Sequence, residues 1–132
     1  MNKPNILIVD DEQAITASLS YCLEKEGFDV QVADSGEQAV RTVLDRVPDL
    51  IISDVMMPGM DGYEFCRRIR EYHKTENIPF LFLTARDGHE SQVRGKSFGC
   101  TEYITKPFDL NELVRRVRAI LASRTASPET NR

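Results

Sequence analysis

At 132 residues, with 41% hydrophobic and 29% charged side chains, the chain has the make-up of one soluble globular domain with one sizeable core, which argues against disorder. Its net charge of −4 argues against a domain that binds nucleic acid by itself; the short basic groups Arg67-Arg68-Ile69-Arg70 and Arg115-Arg116-Val117-Arg118 read as solvated helix faces. No apolar stretch is long enough to span a bilayer and the N-terminus has no secretory pattern, so membrane association is not expected and a reducing cytoplasm is the expected setting.

The first apolar run, Asn5-Ile6-Leu7-Ile8-Val9, reads as a strand and stops at Asp10-Asp11. Ile15, Leu19, Cys22 and Leu23 then recur at helical spacing. Phe28, Val30 and Val32 alternate with polar residues, which marks a short strand at or near a sheet edge. Ser35 is a candidate N-cap for a helix carrying Val40, Val43, Leu44 and Val47. Leu50-Ile51-Ile52-Ser53 is a strand that stops at Asp54. After Asp61-Gly62 come Phe65, Cys66, Ile69 and Tyr72, a third helical stripe. Pro79-Phe80-Leu81-Phe82-Leu83 is a strand that stops at Thr84. Between Gly88 and Gly99 only Val93 and Phe98 are large and apolar, which predicts a helix poorly anchored to the sheet. Glu102-Tyr103-Ile104-Thr105 is a strand that stops at Lys106. Asp109 is a good N-cap for a last helix, in which Leu110, Leu113, Val114, Val117 and Leu121 form a fourth stripe. From Ser123 to Arg132 the chain is polar, so residues 1–122 are expected to form the domain and 123–132 a tail or the start of a linker.

Strict β–α alternation means a parallel sheet covered by helices on both faces and joined by right-handed crossovers. Unbroken apolar strands fit burial on both faces. Ligands bind at the carboxyl ends of the strands in such sheets, so the four stops are expected to meet. Cys22 and Cys66 fall on apolar helix faces and read as small core residues; no cysteine has zinc-ligand spacing. His73 and His89 lie away from the strand ends, and neither has a paired nucleophile.

Three carboxylates at neighbouring strand ends raise each other's pKa or recruit a cation. Oxygen ligands without His or Cys favour a hard ion, and Mg²⁺ is the usual choice where a phosphate supplies further oxygens. Asp10, Asp11 and Asp54 are the candidate ligands, with the backbone carbonyl of Met56 within reach of the same ion. A carboxylate is also a nucleophile towards phosphorus. Asp54 is the candidate, since it follows the central strand and leads into the tight loop Pro58-Gly59-Met60-Asp61-Gly62. Lys106 supplies a positive charge opposite the metal. The Thr84 hydroxyl and the Ala85 amide are placed to donate to phosphoryl oxygens. Singly, each feature has a structural reading as a cap, a turn or a surface lysine; their ordered arrival at four strand ends sets them apart.

With these motifs in place, the chain resembles the receiver domain of two-component response regulators, over residues 4 to about 122. The resemblance rests on Ile8-Val9-Asp10-Asp11-Glu12, on Asp54-Val55-Met56-Met57-Pro58-Gly59-Met60-Asp61-Gly62, on Leu83-Thr84-Ala85, and on Tyr103-Ile104-Thr105-Lys106-Pro107-Phe108. It implies a flavodoxin-like (βα)5 three-layer sandwich with strand order 2-1-3-4-5. It implies that Asp54 is the phosphoacceptor for a phosphohistidine on a histidine kinase or phosphotransfer protein. Asp10, Asp11, Asp54 and the Met56 carbonyl would hold Mg²⁺, and Lys106, before a cis bond to Pro107, would pair with the phosphate. Thr84 and Tyr103 would be a switch pair: the hydroxyl turns to the phosphate and the ring moves inward. The output domain or protein is left open. So is the oligomeric state, a monomer or a weak phosphorylation-dependent dimer. Glu102, Glu112 and Arg116 fit the charge pattern of the dimer face common in winged-helix regulators; Gln92, His89 and Lys96 depart from it, and Cys100 replaces a usual alanine.

Such a module catalyses only its own phosphorylation and dephosphorylation and is not an enzyme acting on a separate metabolite. The alternative is a metal-dependent phosphohydrolase with an aspartyl-phosphate intermediate. Those enzymes carry a second Asp two residues past the nucleophile, where this chain has Met56. A nucleotide- or flavin-binding domain lacks support, since no glycine-rich loop follows the first strand.

Overall fold

The computed structural model describes residues 3–84 and 102–126. Five strands, β1 (Asn5–Val9), β2 (Asp29–Ala33), β3 (Leu50–Asp54), β4 (Phe80–Thr84) and β5 (Glu102–Thr105), form one parallel sheet in the order β2-β1-β3-β4-β5. Four described helices cover it: α1 (Gln13–Lys25), α2 (Gly36–Asp45), α3 (Gly62–Arg70) and α4 (Leu110–Ala126). This is the three-layer flavodoxin-like sandwich that the motifs implied.

Alternation along each strand divides the core in two. Leu7, Val9, Ile51, Phe80 and Phe82 face Ala39, Val43, Tyr63, Phe65, Cys66 and Ile69 of α2 and α3. Ile6, Ile8, Leu50, Ile52, Leu81 and Leu83 face Leu19, Leu23, Leu113, Val117 and Ile120 of α1 and α4. Strands β1, β3 and β4 are buried throughout, whereas β2 is half exposed, as an edge strand with an alternating pattern should be.

The caps expected at Ser35 and Asp109 form, and Asp61 caps α3 as well. The Ser35 hydroxyl accepts from the Gln38 amide at 3.1 Å, and the Asp61 carboxylate accepts from the Glu64 amide at 2.8 Å. Asp109 accepts from the Asn111 amide at 3.2 Å.

Three expectations shift. The buried face of α2 is Gly36, Ala39 and Val43, so Leu44 is exposed; Val47 lies beyond the helix and is exposed too. Gly36 sits on that face because Met60 approaches it: an added Cβ would lie 2.9 Å from the Met60 Cβ. Tyr72 is also exposed, because α3 ends at Arg70 and the Thr75 hydroxyl donates to the Ile69 carbonyl at 2.7 Å. The last helix continues through Ser123 to Ala126, with Arg124 bonded to the Asp49 carbonyl and carboxylate. Cys66 is buried and Cys22 half-buried, and burial pushes the Cys66 thiol up to about 11. The weakly anchored helix expected between Gly88 and Gly99, with His89, Gln92 and Lys96, lies outside the described residues, as do Cys100 and the tail beyond Ala126.

Gly62 joins the fold to the loop after β3. Its amide donates to the Val55 carbonyl at 2.8 Å, and an added Cβ would sit 2.3 Å from the Asp54 carbonyl oxygen. Gly62→Ala at a first helical position would ordinarily be neutral or better. Here overpacking against backbone should cost about 1–3 kcal/mol. Urea denaturation of the variant should show that loss; unchanged stability would contradict the close approach.

Candidate functional site

The parallel register places the four strand ends side by side. Val9 pairs with Ser53, Asp54 with Leu83, and Thr84 with Thr105. Chain continuity then puts Asp10 beside Asp54, and Lys106 beyond Thr84, whose carbonyl accepts from the Lys106 amide at 2.7 Å. The Lys106–Pro107 peptide is cis.

Side chains of Asp10, Asp54 and Thr84 are buried, while Asp11 is exposed. Carboxylate oxygens of Asp10, Asp11 and Asp54 all lie within 4.8 Å of one another. One oxygen of Asp10 accepts from the Glu12 amide at 2.9 Å. Its other oxygen is buried without a hydrogen bond and lies 3.6 Å from the Lys106 ammonium. Lys106 donates to Asp54 at 3.3 Å and comes within 3.8 Å of Glu12.

Burial sets the titration of this group. Desolvation raises the pKa of Asp54, the charge of Asp10 raises it further, and Lys106 opposes both. Desolvation likewise raises Asp10, against the Glu12 amide and Lys106. For Lys106, burial disfavours the cation, but Asp54 and Asp10 outweigh it and the pKa rises. One lysine thus faces several carboxylates, which leaves negative charge over. An all-oxygen donor set, an unbonded buried oxygen on Asp10 and that surplus charge together suit a hard divalent cation.

Met56 follows in the loop with its side chain exposed, and a thioether transfers no proton. Tyr103 lies two strands over, on β5, half-buried, with its ring stacked on Phe82 at 5.7 Å. Its hydroxyl is 3.2 Å from that of Tyr63, a fully buried residue that the sequence reading passed over. Helical spacing from Cys66 was the available signal, since Tyr63 lies three residues before it on the same face. The Ala85 amide lies outside the described residues. Arg116 bridges Glu102 and Glu112 within the chain, so these charges on the expected dimer face are already paired.

The family profile described as the response regulator receiver domain matches residues 6–118. The chain belongs to that family. The phosphate regulon transcriptional regulatory protein PhoB of Rhizobium meliloti (strain 1021) is 44% identical over 126 residues, which cover 96% of this chain and 55% of that protein. The chain therefore spans about half the length of this curated relative. The structure of the chemotaxis response regulator CheY4 of Vibrio cholerae matches with a TM-score of 0.86 and 32% identity, covering 90% of this chain and 99% of that one. NtrX from Brucella abortus matches with a TM-score of 0.90 and 25% identity, over 98% of this chain and 29% of that chain. As a receiver domain of a two-component system, the chain is a regulatory phosphoacceptor module rather than a conventional enzyme. These matches give the phosphohydrolase alternative no support. Among the described residues no helix is long and apolar enough to cross a membrane.

Two outcomes test the electrostatics. Asp10 and Asp54 hold their protons more tightly folded than unfolded, since both pKa values are raised above 3.8. That contribution favours folding below the ordinary value and is lost as pH rises through the raised one. In divalent-free buffer, Asp10→Asn should therefore melt higher than wild type at pH 7, with the gap closing towards pH 4. A variant that melts lower at pH 7 would contradict this balance. Mg²⁺ at ten times its dissociation constant should stabilise the wild type by about 1.4 kcal/mol, a gain that Asp11→Asn should largely lose. Thermal melts with and without Mg²⁺ measure both.

Proposed function

We propose that the chain is a phosphorylation-dependent signalling switch that takes a phosphoryl group onto Asp54 from a phosphohistidine of a histidine kinase or phosphotransfer protein. The observation that carries this reading is the ammonium of Lys106 between Asp54, at 3.3 Å, and Asp10, at 3.6 Å, inside a three-carboxylate cluster. In the transfer, an Asp54 oxygen bonds to phosphorus as the bond from phosphorus to the histidine nitrogen breaks, and that nitrogen leaves with the bonding pair. Phosphoryl transfer asks chiefly for positioning and charge neutralisation. Lys106 pairs with one phosphoryl oxygen, and the Thr84 hydroxyl and the Ala85 amide donate to others.

Asp10, Asp11, Asp54 and the Met56 carbonyl would hold Mg²⁺. The bound ion would offset the charge shared by the carboxylates and the incoming phosphoryl oxygens. Thr84, turning to the phosphoryl group, makes room for Tyr103 to settle inward, so that a local charge change becomes a change of surface. Output passes to a further domain or protein. Direct nucleic-acid binding by this domain is not part of the reading, given its charge of −4. The setting proposed is the cytoplasm, and the state a monomer or a weak phosphorylation-dependent dimer.

Incubation with Mg²⁺ and acetyl phosphate should label the wild type with one phosphoryl group. Asp54→Asn should reduce labelling to background, and Lys106→Met should slow it roughly a hundredfold. Undiminished labelling of Asp54→Asn, or steady release of many equivalents of phosphate with no labelled species, would overturn the assignment.

A further inference from the structure

Tyr63, Phe82 and Tyr103 form a three-ring array on one face of the sheet. The Tyr63 ring meets the edge of Phe82 at 5.0 Å, and Phe82 stacks on Tyr103 at 5.7 Å. Register explains the array: Phe82 and Tyr103 are direct partners across β4 and β5, so their side chains share a face. Thr84 follows Phe82 by two residues and lies on that face as well.

Packing alone does not call for a hydroxyl at position 63. The residue is fully buried in the first turn of α3, where a phenylalanine would fill nearly the same space without a polar atom to satisfy. Its hydroxyl lies 3.2 Å from that of Tyr103, which is only half-buried and belongs to β5. Tyr63 is also tied to the phosphoacceptor loop. The preceding residue, Gly62, donates its amide to the Val55 carbonyl and packs against the Asp54 backbone.

We propose that Tyr63 is a positioning residue that holds Tyr103 in its inward state through the hydroxyl pair. The proposal rests on the reading above, in which Tyr103 is the moving member of the switch. It adds a second connection between Asp54 and Tyr103: one runs through Thr84 on β4, the other through the loop after β3 and the start of α3. With the ring stacked on Phe82, its hydroxyl beside that of Tyr63, taken as the inward state, the hydroxyl bond biases the equilibrium towards that state before any phosphoryl group arrives. A net hydrogen bond of ordinary strength corresponds to a bias of roughly twofold to tenfold. Where the inward state is the minor one in free protein, the same factor appears in the affinity for a phosphoryl mimic that favours it.

The test uses the full chain labelled with [¹³Cζ]tyrosine, which reports the carbon bearing each hydroxyl. Its four tyrosines give four signals, assigned by single Tyr→Phe variants. Tyr63→Phe should move the Tyr103 signal towards that of the exposed Tyr21 in free protein, and beryllofluoride with Mg²⁺ should bring it back. Beryllofluoride affinity should fall roughly twofold to tenfold. Tyr103→Phe should lower it similarly, and the double variant should lose no more than either single one, because one shared interaction is removed only once. A purely structural role for Tyr63 would instead lower stability and leave the Tyr103 signal and the affinity unchanged, and that result overturns the proposal. Acetyl phosphate labelling of the same samples separates the two failures. A wild type that labels on Asp54 beside an indifferent Tyr63→Phe removes the Tyr63 role alone. A wild type that never labels removes both.

Discussion

The ion pairing of Lys106 with two buried aspartates at the ends of adjacent strands is the constraint around which the molecule is arranged. Burying Asp10 and Asp54 together is unfavourable, and one ammonium at 3.3 and 3.6 Å offsets it only in part. The sheet makes this placement possible. Parallel register aligns the carboxyl ends of β1, β3, β4 and β5, and the apolar strands behind them hold those ends in a fixed frame. The surplus negative charge suits a divalent cation.

The same frame links the carboxylate cluster to residues beyond it. Thr84 ends the strand that pairs with β3 on one side and β5 on the other, so it is one residue from Asp54's register partner and two from Phe82. Phe82 in turn supports Tyr103, and Tyr63 reaches Tyr103 from the helix that begins just after the Asp54 loop. A charge change at Asp54 therefore has short, packed routes to a half-buried aromatic residue. Close packing makes such routes discrete rather than continuously deformable.

Much of this was legible in the sequence because its signals are strong locally. Four apolar runs and one alternating strand, separated by amphipathic stripes, specify β–α alternation, and that alternation specifies a parallel sheet. The half-exposed edge strand was legible from Phe28, Val30 and Val32, and the caps at Ser35 and Asp109 from residue type alone. The meeting of Asp10, Asp54 and Lys106 followed from their positions at strand ends. What escaped depends on tertiary distance. Leu44 is outward because Gly36 and Ala39 form the buried face of α2, a choice set by Met60. The helix extends to Ala126 because Arg124 finds Asp49, 75 residues away. Tyr63 looked like one more helical residue, since nothing local announces that its hydroxyl meets a partner forty positions on.

The central claim is that Asp54, among the clustered carboxylates, receives the phosphoryl group. Borohydride reduction converts an acyl phosphate of aspartate to homoserine, and peptide mass mapping then locates it. After incubation with Mg²⁺ and acetyl phosphate, homoserine should appear at position 54 and nowhere else. Homoserine at position 10 or 11, or a phosphoryl group retained on His73 or His89 with position 54 unmodified, would contradict the account.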